Sequence, residues 1–198
     1  MSKPKIGIII GSTREGRFAD KPVQWFLDIA ARRTDASFEI IDLRDFPLPH
    51  FDEPRSPAYG ALENAEARRW QARLAEFDGF VFVTPEYNRS IPGVLKNALD
   101  YAYGEWNRKP AAFLGYGPIG AARAVEHLRN MAVELQMAPT RTGLHITMEP
   151  YLAVAQGQKA LSDFDHLNKG AEATIEELVW WARALKTARE ADVARAAA

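Results

Sequence analysis

The chain has no cysteine among its 198 residues. That removes disulfides, thiolate nucleophiles, iron–sulfur clusters and thiolate-bound zinc in one step, and it favours a reducing compartment. Charge of one sign is also missing. Its 25 lysines and arginines face 26 acidic residues, for a formal net charge of −1. Nothing global therefore suggests a basic face for nucleic acid. No apolar run approaches the roughly 20 residues of a membrane-spanning helix. Met1-Ser2-Lys3-Pro4 leads directly into a strand-like run, so no secretory leader is expected. The chain shows no internal repeat and no linker-like stretch. Its four histidines are scattered without paired spacing, which does not suggest a metal site. What is present is a hydrophobic fraction of 47% beside 26% charged residues, ordinary for a globular protein and too apolar for disorder. The expectation is one cytoplasmic domain over residues 1–198, with no membrane and no nucleic-acid partner.

Short apolar runs recur along the chain at Lys5–Ile10, 38–43, 79–84 and 111–116, with a fifth near 139–147. Each is too short for a stable isolated helix and is rich in β-branched or aromatic residues. Strict alternation is absent, as in strands covered on both faces. Helical patterns lie between them. Asp20 reads as a cap with Pro22 in the first turn, followed by Trp25, Phe26, Ile29 and Ala30 at helical spacing. Segment 63–76 sets Trp70 and Leu74 four apart, and Pro92 opens a helix carrying Val94, Leu95, Ala98 and Leu99. Segment 121–137 places Val125, Leu128, Ala132 and Leu135 on one face. A long helix is expected over about 165–191, with Leu167, Ala171, Ile175, Leu178, Trp181 and Leu185 as its apolar stripe. The alanine-rich end, 191–198, is expected to fray. Strands alternating with helices predict a parallel α/β sheet with helices on both faces. The stretch 46–60 carries four prolines and cannot be a regular element; such a loop often lies beside the crevice at the carboxyl ends of the strands.

Three strand-to-helix loops can carry chemistry. The first is Gly11-Ser12-Thr13-Arg14-Glu15-Gly16-Arg17. Backbone N–H groups, the hydroxyls of Ser12 and Thr13 and the cations of Arg14 and Arg17 can converge there on a phosphate. It has neither the Gly-Lys-Ser/Thr of a Walker loop nor a GxGxxG fingerprint. The plain alternative is a βα turn with two solvated arginines. The second loop runs Thr84-Pro85-Glu86-Tyr87-Asn88-Arg89-Ser90-Ile91-Pro92-Gly93, a stiff segment suited to an aromatic, hydrogen-bonding ligand. Here Tyr87 can equally be a surface aromatic and Glu86 a solvated acid, and Lys96 with Asp100 reads as an i,i+4 salt pair. The third, Gly115-Tyr116-Gly117-Pro118-Ile119-Gly120, is glycine-rich enough to admit a flat ligand, or is simply a flexible connection. All three follow strands, so in a parallel sheet they share one edge. Together they describe a mononucleotide crevice, of FMN type more than ATP type, because no Mg²⁺ ligand set or catalytic lysine accompanies it.

These residues resemble the NADPH-dependent FMN reductases, a family of flavodoxin-like fold that includes quinone, azo-dye and chromate reductases. The resemblance rests on Gly11-Ser12-Thr13-Arg14, on Pro85 through Gly93 with Leu95-Lys96-Asn97-Ala98-Leu99-Asp100, and on Tyr116-Gly117 with Gly120. The stretch from Asp42-Leu43 to Asp52-Glu53-Pro54 is also similar, and the likeness extends from about residue 5 to about residue 146. It implies a three-layer sandwich around a five-stranded parallel sheet in the order 2-1-3-4-5. It implies FMN phosphate held by Ser12, Arg14 and the amides near Arg17, with Arg17 as a second cation or pointing away. The isoalloxazine would be gripped by Pro85, Glu86, Tyr87, Asn88 and Ser90 and flanked by Tyr116 and Gly117. Two positions depart from the family pattern: many members carry Ser where this chain has Arg17, and Gly where it has Pro118, which removes a backbone donor.

The chemistry so implied belongs to the flavin, with no catalytic side chain. NADPH or NADH would deliver a hydride to N5, and a quinone, azo compound or similar small acceptor would then take two electrons in a ping-pong cycle. The amides and helix end of the third loop would stabilise negative charge on the reduced ring. Arg14, Arg89, Arg55 and Arg44 are all candidates for the 2′-phosphate of NADPH. A homodimer or homotetramer is implied, and Trp180-Trp181 with the segment from Tyr101 to Trp106 offers aromatic area for it, or else only completes the core of the monomer. The competing reading is a non-enzymatic flavodoxin-type carrier or redox sensor. Near-neutral charge speaks against it, since such carriers are usually acidic.

Overall fold

Strand β1 (Lys5–Ile10) sends isoleucines to both sides of the sheet: Ile6, Ile8 and Ile10 face one apolar cluster and Ile9 the other. The same division holds along β3 (Gly79–Pro85), with Val81 and Val83 on one side and Phe80 and Phe82 on the other. In β4 (Pro110–Tyr116), Ala112 and Leu114 oppose Ala111 and Phe113. A strand buried on both faces has no reason to alternate polar with apolar residues. Strands β2 (Ser37–Asp42) and β5 (Ala138–Ile146) form the edges, and polar residues return there. The computed structural model, which describes residues 2–196, pairs these strands in parallel in the order β2-β1-β3-β4-β5. The chain reverses direction across the sheet between β1 and β3, the place where ligands enter open α/β sheets.

Helix α1 (Asp20–Ala30) buries Val23, Trp25, Phe26 and Ile29 on one face of the sheet beside α6 (Asp165–Ala196). Each such side chain contributes about 1.5–3 kcal/mol when removed from water. Helices α2 (Ala65–Ala75), α3 (Gly93–Asp100) and α4 (Ala122–Glu134) cover the opposite face. Its centre is aromatic: Trp106 stacks edge-on against Phe80 at 4.9 Å and Trp70 at 6.1 Å, and the Trp70 indole donates to the Ala98 carbonyl at 2.8 Å. Tyr101 and Trp106 are fully buried in this cluster. They complete the core, which leaves half-buried Tyr103 as the aromatic of that segment that can still offer area for an assembly.

Four further details differ from the sequence reading. Asp20 is the first residue of α1 and caps nothing; its carboxylate accepts from Arg17 Nε at 2.8 Å. On α6 the buried stripe continues through Val179 and Ala182, which turns Trp181 to 37% exposure. That helix also persists through Ala196, so the frayed end expected from residue 191 is helical as far as the described residues go. An unforeseen helix, α5 (Met148–Ala155), follows β5. Thr147, Glu149 and Pro150 in its first turn were the available start signal. No helix among the described residues is long and apolar enough to cross a membrane.

Candidate functional site

The first loop leaves β1 at Gly11 and ends on α1. Ser12 is buried, its hydroxyl 3.1 Å from the Tyr87 phenol oxygen, with the Arg14 amide pointing back to it at 3.5 Å. Arg17 is fully engaged. Its guanidinium forks onto Asp42 at 2.7 and 2.5 Å, reaches Asp20, and donates to the Ser12 carbonyl at 2.7 Å. Only 3% of the side chain is exposed. Burial pushes the Asp42 carboxyl up, but Arg17 and the Arg44 amide outweigh it and hold the group below its usual range. Arg17 thus ties the loop to the end of β2, and two carboxylates already neutralise its charge. Arg14 differs: among the described residues it has no ion pair, and its guanidinium lies 6.0 Å from the centre of the Tyr87 ring. The backbone N–H groups of Thr13, Glu15 and Gly16 likewise meet no acceptor among the described residues.

The second loop closes on itself. Tyr87 and Ser90 exchange backbone hydrogen bonds of 2.9 and 3.0 Å around Asn88 at φ 49° and Arg89 at φ 71°. Two positive φ values make a type I′ turn, whose second position normally takes glycine. An arginine there costs about 1 kcal/mol. Glu86 turns away from the loop, accepts the Arg123 amide at 3.1 Å and the Ala124 amide at 3.4 Å, and pairs with the Arg123 guanidinium. Burial raises its carboxyl, but Arg123 and the two amides prevail and lower it. It is therefore the cap of α4, whose own first neighbour, Ala121, supplies no side-chain acceptor. Ser90 Oγ sits 3.0 Å from His127 Nδ1.

In the third loop two glycines serve packing within the loop. A Cβ on Gly115 would strike the Gly120 carbonyl, and one on Gly120 would sit 2.7 Å from that of His145. Gly117, at φ 130° with open space beside it, is the glycine that faces the opening. Tyr116, its phenol pushed up by burial, packs against Phe18 at 5.3 Å, and Phe18 against Tyr151 of α5 at 4.6 Å.

The three loops bound a cleft of about 590 Å³ at the carboxyl ends of the strands. Arg14, Arg17, Pro85, Glu86, Tyr87, Asn88, Tyr116 and Gly117 line it, whereas Ser12 and Ser90 stand behind the wall and brace Tyr87 and His127. Phe18, Lys21, Arg123 and Tyr151 also line it and were not foreseen. Of these, Arg123 was the most visible, lying directly after the third loop. The lining holds five cations (Arg14, Arg17, Lys21, Arg89 and Arg123) and one carboxylate, Glu86. In a chain of net charge −1, that bias suits an anionic ligand. The proline-rich stretch borders a smaller neighbouring hollow through Phe46, Pro47 and Leu48, held in place by Asn97, which donates to the Pro49 carbonyl at 2.7 Å and accepts from the Phe51 amide at 3.0 Å.

Known proteins resemble this chain in sequence and in fold. The chain is 39% identical over 145 residues to an NAD(P)H-dependent FMN reductase of Schizosaccharomyces pombe, covering 71% of this chain and 72% of that protein. It is 38% identical over 140 residues to a 2-hydroxy-1,4-benzoquinone reductase of a Burkholderia species, covering 67% and 72%. Among solved structures, the flavoenzyme NAD(P)H:(acceptor) oxidoreductase of Paracoccus denitrificans superposes with a TM-score of 0.69 at 26% identity, over 88% of this chain and 97% of that one. Residues 4–149 match the family described as NADPH-dependent FMN reductase, and the chain belongs to that family.

Proposed function

We propose that this chain, an NAD(P)H-dependent FMN oxidoreductase by family, passes reducing equivalents to a quinone or a similar small acceptor in a ping-pong cycle, with FMN seated in the 590 Å³ cleft. The single observation that carries the placement is the unbalanced donor set: the Arg14 guanidinium and the amides of Thr13, Glu15 and Gly16, which meet no acceptor among the described residues, beside a wall of Pro85, Tyr87, Tyr116 and Gly117. An anionic tail at one end and a planar ring along the wall would complete it. When bound, FMN would supply the two-electron redox chemistry that links NAD(P)H to the acceptor.

The residues have distinct tasks. Arg14 and the first-loop amides hold the phosphate, and the Ser12 hydroxyl fixes the height of Tyr87. Arg17 keeps the loop open by anchoring it to Asp42. Pro85, Tyr87 and Asn88 present the ring-binding edge. Glu86 contributes its backbone, since its carboxylate is given to α4. For the same reason the N-terminus of α4 is not a free positive pole. The remaining third-loop donors, the amides of Ile119 and Ala121, are what this chain offers to negative charge on the ring. A homodimer or homotetramer in a cytoplasmic setting accompanies this reading; Trp180, 59% exposed at 5.0 Å from Trp181, supports the assembly.

The test is a visible spectrum of the purified protein followed by anaerobic NADPH in the same cuvette. Flavin bands that bleach within seconds and return on adding benzoquinone are expected. Bands that persist would indicate an electron carrier instead, and a colourless protein that takes up no added FMN would overturn the placement.

A further inference from the structure

Of the four cations named from sequence for the 2′-phosphate of NADPH, two drop out. Arg44 donates to the Thr13 and Arg14 carbonyls, and Arg55 does not line the cleft. Of the other cleft cations, Arg17 is saturated by Asp42 and Asp20, Arg123 is paired with Glu86, and Lys21 donates to the Val154 carbonyl at 2.9 Å. Arg14 and Arg89 are the two cleft cations without a protein acceptor among the described residues. Arg14 extends from the loop whose free amides already suit one phosphate.

Arg89 has a second peculiarity. It is exposed, and it occupies the glycine position of a tight turn at φ 71°. The turn's two backbone hydrogen bonds hold this conformation, but the arginine side chain meets no acceptor among the described residues, and an outlier so placed points to use by a ligand. On the reading that FMN fills the cleft, we propose that Arg89 is a specificity-determining residue, its guanidinium recognising the 2′-phosphate that distinguishes NADPH from NADH. A planar guanidinium offers two parallel N–H groups to a phosphate dianion, a contact for which NADH has no counterpart.

The turn itself provides a clean test. Arg89→Gly removes the cation while relieving the backbone, so the variant should melt no lower than the parent. Binding of NADP⁺ and NAD⁺ to the FMN-loaded protein is measured by calorimetry, beside kcat/KM for both reduced coenzymes. The expected result is an NADP⁺ affinity about tenfold weaker, an NADPH/NADH preference reduced by the same factor, and substantial recovery in Arg89→Lys. Equal weakening for both nucleotides would place Arg89 on the shared pyrophosphate and overturn the proposal. So would no change for either, absence of a preference in the parent, or loss of FMN from Arg89→Gly. A parent protein that retains no flavin fails at the spectrum, before any coenzyme is compared, so the two readings fall separately.

Discussion

Burying a guanidinium costs several kcal/mol unless its N–H groups find acceptors, and Arg17 meets that condition with two carboxylates and a carbonyl. Replacing it by alanine leaves Asp42 partly buried without its cation. Arg17→Ala is therefore expected to lose about 3 kcal/mol in urea unfolding, and Arg17→Lys to recover only part, because an ammonium cannot fork onto Asp42. Lys109 presents the opposite case. It is 7% exposed, its ammonium donates to the Leu74 carbonyl at 3.1 Å, and no carboxylate among the described residues pairs with it. Burial, with Arg189 nearby, pushes it down to about 8 from an ordinary value of 10.5. Between those values the unfolded chain holds the proton and the folded chain releases it. Stability from this group therefore rises with pH across that window, and is lost as pH falls through about 8. Lys109→Met should be more stable than the parent at pH 7 by roughly 1–3 kcal/mol, and its stability should not climb between pH 8 and 10. Unfolding midpoints at pH 7, 8.5 and 10 read both effects.

Helix α4 begins at a left-handed Ala121 with no side-chain cap of its own, so its exposed amides depend on Glu86 from the loop after β3. Glu86→Ala is expected to cost about 1–2 kcal/mol, the usual worth of a cap, while Glu86→Gln keeps an acceptor and loses less. Thermal melts of the two variants separate the cap from the ion pair with Arg123. This dependence could not be read from sequence, because Glu86 and Arg123 lie 37 residues apart. The Arg17–Asp42 tie, 25 residues apart, was hidden in the same way, so a structural arginine looked like a phosphate ligand. What was legible depended on local rules. Runs such as that of β1 announce buried parallel strands, and glycine, proline and hydroxyl residues after them announce loops at one edge. Helix α5 escaped because eight residues are too few to show a period, although it brings Tyr151 to the cleft. The glycines of the third loop were read as room for a ligand or as a flexible connection, when Gly115 is required by the loop's own fold and Gly120 by the close approach of His145 in β5.

At the scale of the whole molecule the two edges of the sheet do different work. The cleft occupies the carboxyl edge, and the amino edge is closed by charge. Asp78, where the chain enters β3, accepts the Lys5 amide at 3.1 Å, Lys186 at 3.1 Å and Arg189 at 2.7 Å. Arg189 also donates to the Arg108 carbonyl at 2.7 Å. One carboxylate thus fastens the far end of the 32-residue α6 to β1 and β3, beyond the point where the helix runs out of apolar contact with the sheet. Removing it leaves two partly buried cations facing each other and Lys109. Asp78→Ala should lose about 2–3 kcal/mol, a fall of roughly 5–10 °C in melting temperature for a chain of this length. Hydrogen exchange should show the amides of residues 184–196 losing protection first, since Lys186 and Arg189, the two cations that Asp78 holds, lie in that segment. Combined with Lys109→Met, the loss from Asp78→Ala and the gain from removing Lys109 should not simply sum, because both residues belong to one charge network. The FMN dissociation constant should stay within about twofold of the parent, since the cleft is braced by Arg17, Glu86 and Asn97 at the opposite edge. A tenfold weaker FMN affinity in Asp78→Ala would instead mean that α6 transmits strain through the sheet, and that the two edges are not independent.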